Sequence, residues 1–293
     1  MTIQIGCAAN TWNHSRFTHE QILAEIASAG YAGAPAGPAG DATPESTLAL
    51  FERYGLRPAP AYFGGNFWRA EESASILASA HRFAAFARAV GCDALYVAAN
   101  GFEGYTTRRG LNRKQIAGQV TTDDALTDRE FTQLAATLNE FGALTLEHGV
   151  RSCFHNHVGS VIESGGEIER LLASTDPELV FLGPDTGHLA WADVDPVAFV
   201  HRHASRIKTV HLKDVNQQVR RAGVAAGWEY DAFTEQGIFN ELGQGDIDFP
   251  AILSVLQQAN FSGWLIAETD VTQRPTALES ATVSRQYLAS LGL

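Results

Sequence analysis

Four residues with ligating side chains sit at or just past the ends of four successive apolar runs in the C-terminal half of the chain. Glu163 lies in Gly159-Ser160-Val161-Ile162-Glu163-Ser164. Asp185 closes the run that begins at Leu179, and His211 and Glu268 stand near the ends of 207–213 and 263–269. Three carboxylates and one imidazole form an oxygen-rich set that suits one divalent cation such as manganese, cobalt or zinc, with positions left open for a substrate. Singly, each residue has a plainer reading. Asp185 is a helix cap, His211 a core histidine, Glu163 a loop residue. Together they are hard to explain structurally, because like charges gathered at one mouth repel unless a cation neutralises them.

Side-chain alternation decides which residues share a face of a strand. Cys153, His155 and His157 share one; so do Phe181, Gly183 and Asp185; so do Ile207, Thr209, His211 and Lys213; so do Trp264, Ile266 and Glu268. If these faces point inward, Asp185, His211 and Glu268 rise at a common rim. His155 and His157, with Asn156 between them, are candidates to hold substrate hydroxyls or orient ligands. Lys213 is placed to stabilise an anionic intermediate or to pair with a carboxylate. Asn10 and Trp12, just past the first strand, join the substrate-facing candidates, and Phe67 and Trp68 are further candidates to wall a sugar-like molecule.

The elements that must position these groups alternate along the chain. Strands are expected at 3–8, 31–40, 56–63, 94–99, 150–158, 179–185, 207–213 and 263–269. Helices are expected at 18–29, 44–54, 71–90, 127–148, 165–173, 196–203, 249–259 and 275–291. Thr18 with Gln21 three residues later is a capping-box pattern. Residues 100–128, with Arg108, Arg109, Arg113 and Lys114, and residues 215–246 read as two long loops. Eight strands alternating with helices, without a composition break, predict a single (β/α)8 TIM barrel over 1–293. An open doubly wound sheet is the runner-up, but no GxGxxG follows the first strand.

The 293 residues carry a formal net charge of −12 and are 45% hydrophobic. That balance argues against a nucleic-acid surface, which needs clustered Lys and Arg. Cys7, Cys92 and Cys153 are an odd, widely spaced set, read as reduced thiols. The first residues lack a basic region and a long apolar core, and no apolar run approaches the ~18 residues of a membrane span. A cytoplasmic protein without nucleic-acid or membrane partners is expected. A homo-oligomer is left open.

The runs HNHVGSVIES, DTGHLAWADVDP, HLKDV and AETD resemble the xylose-isomerase-like TIM-barrel superfamily, within it most of all the inosose (2-keto-myo-inositol) dehydratases and sugar-phosphate isomerase/epimerase proteins. The resemblance covers nearly the whole chain. It implies one divalent metal held by Glu163, Asp185, His211 and Glu268, with the two glutamates doubling as the acid–base pair and His188 contacting substrate. The chain departs from the pattern at Gly33-Ala34-Pro35-Ala36-Gly37, where many relatives carry a glutamate, and at Gly183-Pro184, where larger apolar residues are usual. The implied reaction is proton abstraction beside the carbonyl of a polyhydroxy ketone, leading to isomerisation, epimerisation or dehydration. The alternatives are a metal-dependent phosphodiesterase of the endonuclease type and a sugar-binding barrel without catalysis.

Overall fold

Helix starts are written into the sequence by short polar side chains. Thr18, Thr43, Thr127 and Ser164 each accept from the backbone three residues on, and Gln21, Ser46, Glu130 and Glu167 return the bond. Each such cap contributes about 1 kcal/mol. The helix Asp128–Glu147 then buries Phe131, Leu134, Leu138 and Phe141 along one stripe. In this computed structural model, residues 3–293 are described; Met1 and Thr2 of the expected domain lie outside them.

Eight parallel strand segments close on themselves. The first, Ile3–Cys7, pairs with the eighth, Gly263–Ala267, and with the second, Gly33–Pro35. The third comes in two pieces. Arg57–Ala59 pairs with the second strand and Tyr62–Gly65 with the fourth, Ala94–Ala99. The break falls at Pro60, which has no N–H to donate. The fifth, Arg151–Phe154, joins the fourth to the sixth, Val180–Leu182. Isolated bridges Leu182↔Ile207 and Asp185↔His211 tie the sixth to the seventh, Val210–Leu212, which pairs with the eighth. Ala8, Ala59, Tyr96, Trp264 and Ile266 pack together inside the ring, and the larger core lies between strands and helices.

The structure departs from the sequence expectation in several places. The fifth strand stops at Phe154 rather than near residue 158. There the Asn156 side chain takes over the pairing: its Oδ1 accepts from Asp185 N at 3.0 Å and its Nδ2 donates to Asp185 O at 3.2 Å. A short helix, Thr186–Trp191, begins directly after Asp185. The stretch 215–246 is not an open loop. It contains helices Gln217–Ala226 and Tyr230–Glu235 and a small antiparallel pair, Asp214–Val215 with Phe239–Asn240. Phe233, Ile238 and Phe239 from this segment pack with Ala117, Val158 and Trp191 in a separate apolar cluster. The three cysteines are free and buried. No helix among the described residues is long and apolar enough to cross a membrane.

Gly183 has a steric reason. A Cβ there would lie 2.8 Å from the Tyr96 ring and 3.0 Å from Thr209 Cγ2. Tyr96 in turn bonds the Thr209 hydroxyl at 2.5 Å across the barrel interior. Gly183→Ala should therefore lower unfolding free energy by about 1–3 kcal/mol through overpacking. Gly104→Ala, with open space at its Cβ, should stay within about 0.5 kcal/mol of the parent. Urea titration checks both, and equal midpoints would remove the packing argument.

Candidate active site

The bridge Asp185↔His211 and the pair Ile266↔His211 set three strand ends side by side. His155, Asp185 and His211 each bring one ligand atom within 4.8 Å of the others. His155 Nε2 lies 4.0 Å from Asp185 Oδ2, and His211 Nδ1 lies 3.8 Å from the same oxygen. His211 Nδ1 also bonds Glu268 Oε2 at 2.6 Å. His155 Nδ1 donates to the Gly183 carbonyl at 3.2 Å, which leaves the Nε2 lone pair facing Asp185. A backbone carbonyl or carboxylate on the far nitrogen is the usual support of a metal-binding histidine.

Asp185 divides its carboxylate between two tasks. Oδ1 caps the short helix, accepting from His188 N at 2.9 Å. Oδ2 is buried and has no hydrogen-bond partner, as is His211 Nε2. The Lys213 ammonium lies 3.1 Å from that Oδ2, an ionic contact without hydrogen-bond alignment. Two orphaned ligand atoms within one buried cluster fit a divalent cation, since each would otherwise go unsatisfied.

Lys213 stands at the centre of the charges. Its Nζ is 3.2 Å from Glu268 Oε2, 2.9 Å from Asp270 Oδ2 and 3.0 Å from His188 Nε2. Burial alone would lower its pKa, but Asp185, Asp270 and Glu268 outweigh that and hold the ammonium charged. Burial likewise works to raise Glu268, and Lys213 and His211 overcome it, so this carboxylate stays well below its ordinary range. Burial, with the neighbouring Glu268 charge, moves Asp185 up to about 6 despite Lys213. The imidazoles of His155 and His188 are pushed far down by burial, and His157 to about 4, so all three are neutral ligand-type rings. Three carboxylates against one ammonium leave two negative charges at the mouth.

A cavity of about 370 Å³ opens over this cluster, lined among others by Asn10, Tyr62, His155, His157, Lys213 and Glu268. That lies at the small end of ligand sites and suits a compact polar molecule. Asn10 reaches into it, donating to Glu268 Oε1 and, at 3.3 Å, to Asp270 Oδ1. A larger depression of about 650 Å³ around Trp68, Tyr105 and Gln133 shares no lining residue with it.

The structure does not bring every expected residue here. Glu163 belongs to neither group of converging ligand atoms. Its Oε1 accepts from Gly118 N at 2.7 Å and its Oε2 from Gly159 N at 2.6 Å. It fastens the 100–127 segment to the 155–165 loop, beside a buried Arg113–Glu167 pair at 2.5 Å. His155 stands where the sequence suggested Glu163. Trp12 is a core residue whose indole donates to Glu25 at 2.6 Å, away from the cavity. Phe67 packs on Phe63 and Phe141, and Trp68 on Tyr105; neither lines the cavity. His188 is buried with Lys213 Nζ 3.0 Å from its Nε2 and Val158 N 3.3 Å from its Nδ1; the neutral ring accepts from one of the two. The basic residues of the long loop are spent internally: Arg109 on Asp124, Arg113 on Glu167, Lys114 on Asp231. Asp270 and Tyr62 were not picked out from sequence. Asp270 shares a face with Glu268 one step beyond the strand, the one signal that could have found it.

The model of the xylose isomerase-like TIM barrel matches residues 23–289. An inosose dehydratase of Geobacillus kaustophilus is 31% identical over 299 residues, spanning 98% of this chain and 94% of that protein. One from Lacticaseibacillus casei is 30% identical over 298 residues, spanning 98% and 97%. A D-allulose 3-epimerase from Methylomonas sp., in complex with D-allulose, superposes with a TM-score of 0.72 at 15% identity, covering 99% of this chain and 96% of that one. At that identity the likeness is one of fold.

Glu163 offers a pH test of its fastening role. Burial raises its carboxyl from 4.5 to about 8, against the amide bonds and Arg113. A carboxyl raised on folding holds more protons folded than unfolded, so its contribution is complete below 4.5 and is lost as pH climbs through about 8. Between those values the wild type should lose thermal stability more steeply than Glu163→Gln, measured on metal-free protein. Parallel stability profiles would contradict this.

Proposed function

The chain belongs to the xylose isomerase-like TIM barrel family, and from that premise we propose that it is a divalent-metal-dependent enzyme that dehydrates an inosose-like cyclic polyhydroxy ketone. One observation carries the reading. Asp185 Oδ2 and His211 Nε2 are buried without hydrogen-bond partners, in a cluster with His155 and beside Glu268, under a small cavity that His155, His157, Lys213 and Glu268 help to line. The whole-length relatives named inosose dehydratase supply the substrate class.

The residues that would hold the ion are His155, Asp185, His211 and Glu268. Two imidazoles favour manganese, cobalt or zinc over magnesium. When bound, such an ion would polarise the ketone and offset charge on an enediolate. The remaining chemistry belongs to the chain. Glu268, ionised and facing the cavity, takes the proton beside the carbonyl. Its orientation comes from Asn10 on one oxygen and His211 on the other. Lys213 stabilises negative charge gathering on the substrate oxygen. His157 donates through Nδ1 to the Val158 carbonyl at 2.6 Å, which leaves Nε2 to accept from a substrate hydroxyl. Glu163 is turned away, and His188 is buried against Lys213 and does not line the cavity. One carboxyl therefore serves twice: the proton taken by Glu268 returns to the departing hydroxyl on the same face, and water leaves. In this reading residues 3–293 act as one domain.

EDTA-stripped protein reloaded with Mn²⁺ or Co²⁺ should dehydrate 2-keto-myo-inositol and leave D-allulose and D-fructose unchanged. Glu268→Gln should lose about 10²–10⁴ in kcat, the usual range for a removed general base. Metal analysis after dialysis should find one ion per chain in the wild type and in Glu163→Gln, and almost none in Asp185→Asn or His155→Ala. Metal loss in Glu163→Gln with retention in His155→Ala would overturn the ligand set. No metal-dependent turnover of any of the three substrates would overturn the reaction.

A further inference from the structure

His157, His188 and Asp270 form a second group whose ligand atoms lie within 4.8 Å of one another, as do those of His155, Asp185 and His211. The two groups meet at Lys213. Its Nζ stands 3.0 Å from His188 Nε2, 2.9 Å from Asp270 Oδ2 and 3.1 Å from Asp185 Oδ2. Glu268 Oε2 follows at 3.2 Å. An ammonium has three protons to donate, yet four acceptors surround this one. That is the environment of a coordinated cation rather than of a single ion pair.

The placement of that ammonium is built in. Thr186 Oγ1 accepts from Lys213 N at 2.9 Å and donates to Lys213 O at 2.8 Å. The side-chain stem lies across Gly187, where a Cβ would come within 2.6 Å of Lys213 Cγ. The glycine of the Asp-Thr-Gly-His run thus gives the lysine its path, and the threonine fixes its origin. The second group is of the kind that binds transition metals, two imidazoles and a carboxylate, and two of its three members touch the ammonium. His157 carries the supporting bond typical of a ligand, Nδ1 to the Val158 carbonyl at 2.6 Å. The two groups have no residue in common, but Asp185 Oδ2 of the first lies 3.1 Å from the ammonium, so an ion in the ammonium's place would have that carboxylate beside it, as in two-metal centres with ions about 3.5–4 Å apart.

We propose that Lys213 is a tethered cation filling a second metal position, and that removing its charge opens a divalent site at His157, His188 and Asp270 with Asp185 bridging to the first. A buried −2 remainder beside one ammonium is what a single added divalent ion neutralises; without the ammonium the remainder is −3 and calls for a second ion. The inference concerns how many ions the barrel holds, and rests on the proposed first site only for that count.

The test is metal stoichiometry by equilibrium dialysis against Mn²⁺ or Zn²⁺. Wild type should hold one ion per chain. Lys213→Ala and Lys213→Gln, made together so that one folded variant suffices, should hold two. His188→Ala added to either should return the count to one. Mn²⁺ electron paramagnetic resonance of the two-ion variant should show an exchange-coupled pair, which separates a shared Asp185 from binding elsewhere. Two ions in the wild type, or no gain on removing Lys213, would overturn the inference. A wild type with none and a Lys213 variant with one would uphold it while refuting the first metal site.

Discussion

Everything at the mouth of this barrel is arranged around one ammonium that three carboxylates approach within 3.2 Å. Bringing Asp185, Glu268 and Asp270 together without compensation would be prohibitive in a buried setting. Lys213 makes their approach affordable, and its fixed position explains features elsewhere. Gly187 must be small for the stem to pass. Thr186 must carry a hydroxyl to clamp the lysine backbone. The short helix from Thr186 must begin where it does, so that Asp185 Oδ1 is used as a cap and Oδ2 is left free. The Asp-Thr-Gly-His run is therefore one device for holding a cation and offering an oxygen.

The histidines follow from the same electrostatics. Burial, and an ammonium alongside, keep His157 and His188 from taking a proton. Their rings lie tilted against each other with centroids 3.7 Å apart, an approach that two imidazolium ions could not make without repulsion. A neutral imidazole is also the form that ligates metals and accepts from hydroxyls. The small apolar cluster around Trp191, Phe233 and Phe239 closes this side, with Tyr230 packed 5.0 Å from Trp191 and 6.3 Å from His157 between ring centroids.

Much of this was legible before any coordinates. Apolar runs bounded by Gly and Pro marked most of the strands, because a buried parallel strand must be nearly all apolar; the second, within the small and Pro-rich 31–40, was placed only by its position in the alternation and spans Gly33–Pro35. Capping boxes gave several helix starts, since the partner lies only three residues away. Face alternation grouped His155, Asp185, His211, Lys213 and Glu268 correctly, since it needs only a period of two. What failed was whatever depended on partners distant in sequence. Glu163 offered the right side chain just past a strand, and nothing local revealed that the amides of Gly118 and Gly159 would take both its oxygens. Asn156 ended the fifth strand early by replacing backbone pairing with its own amide. The helices within 215–246 are polar on much of their surface, and their buried contacts come from Ala117 and Trp191, far away in the chain.

Glu163 and Glu268 show why geometry has to come before titration when a catalytic group is chosen. Both are buried glutamates near strand ends. Burial raises Glu163 to about 8 against two neutral amides and the Arg113 guanidinium, the profile often associated with a general acid. Lys213 and His211 hold Glu268 low, which by titration alone looks like a structural ion pair. Yet Glu268 lines the cavity and Glu163 does not. A proton can pass only to a group within reach of the substrate, so Glu268, which lines the cavity, is the carboxylate proposed as base, and Glu163, shifted the other way by burial, is a fastener of the loop. The shift at Glu163 measures how completely the 100–127 segment seals it from water. At Glu163 the perturbation reports on closure of the loop rather than on chemistry at the cavity.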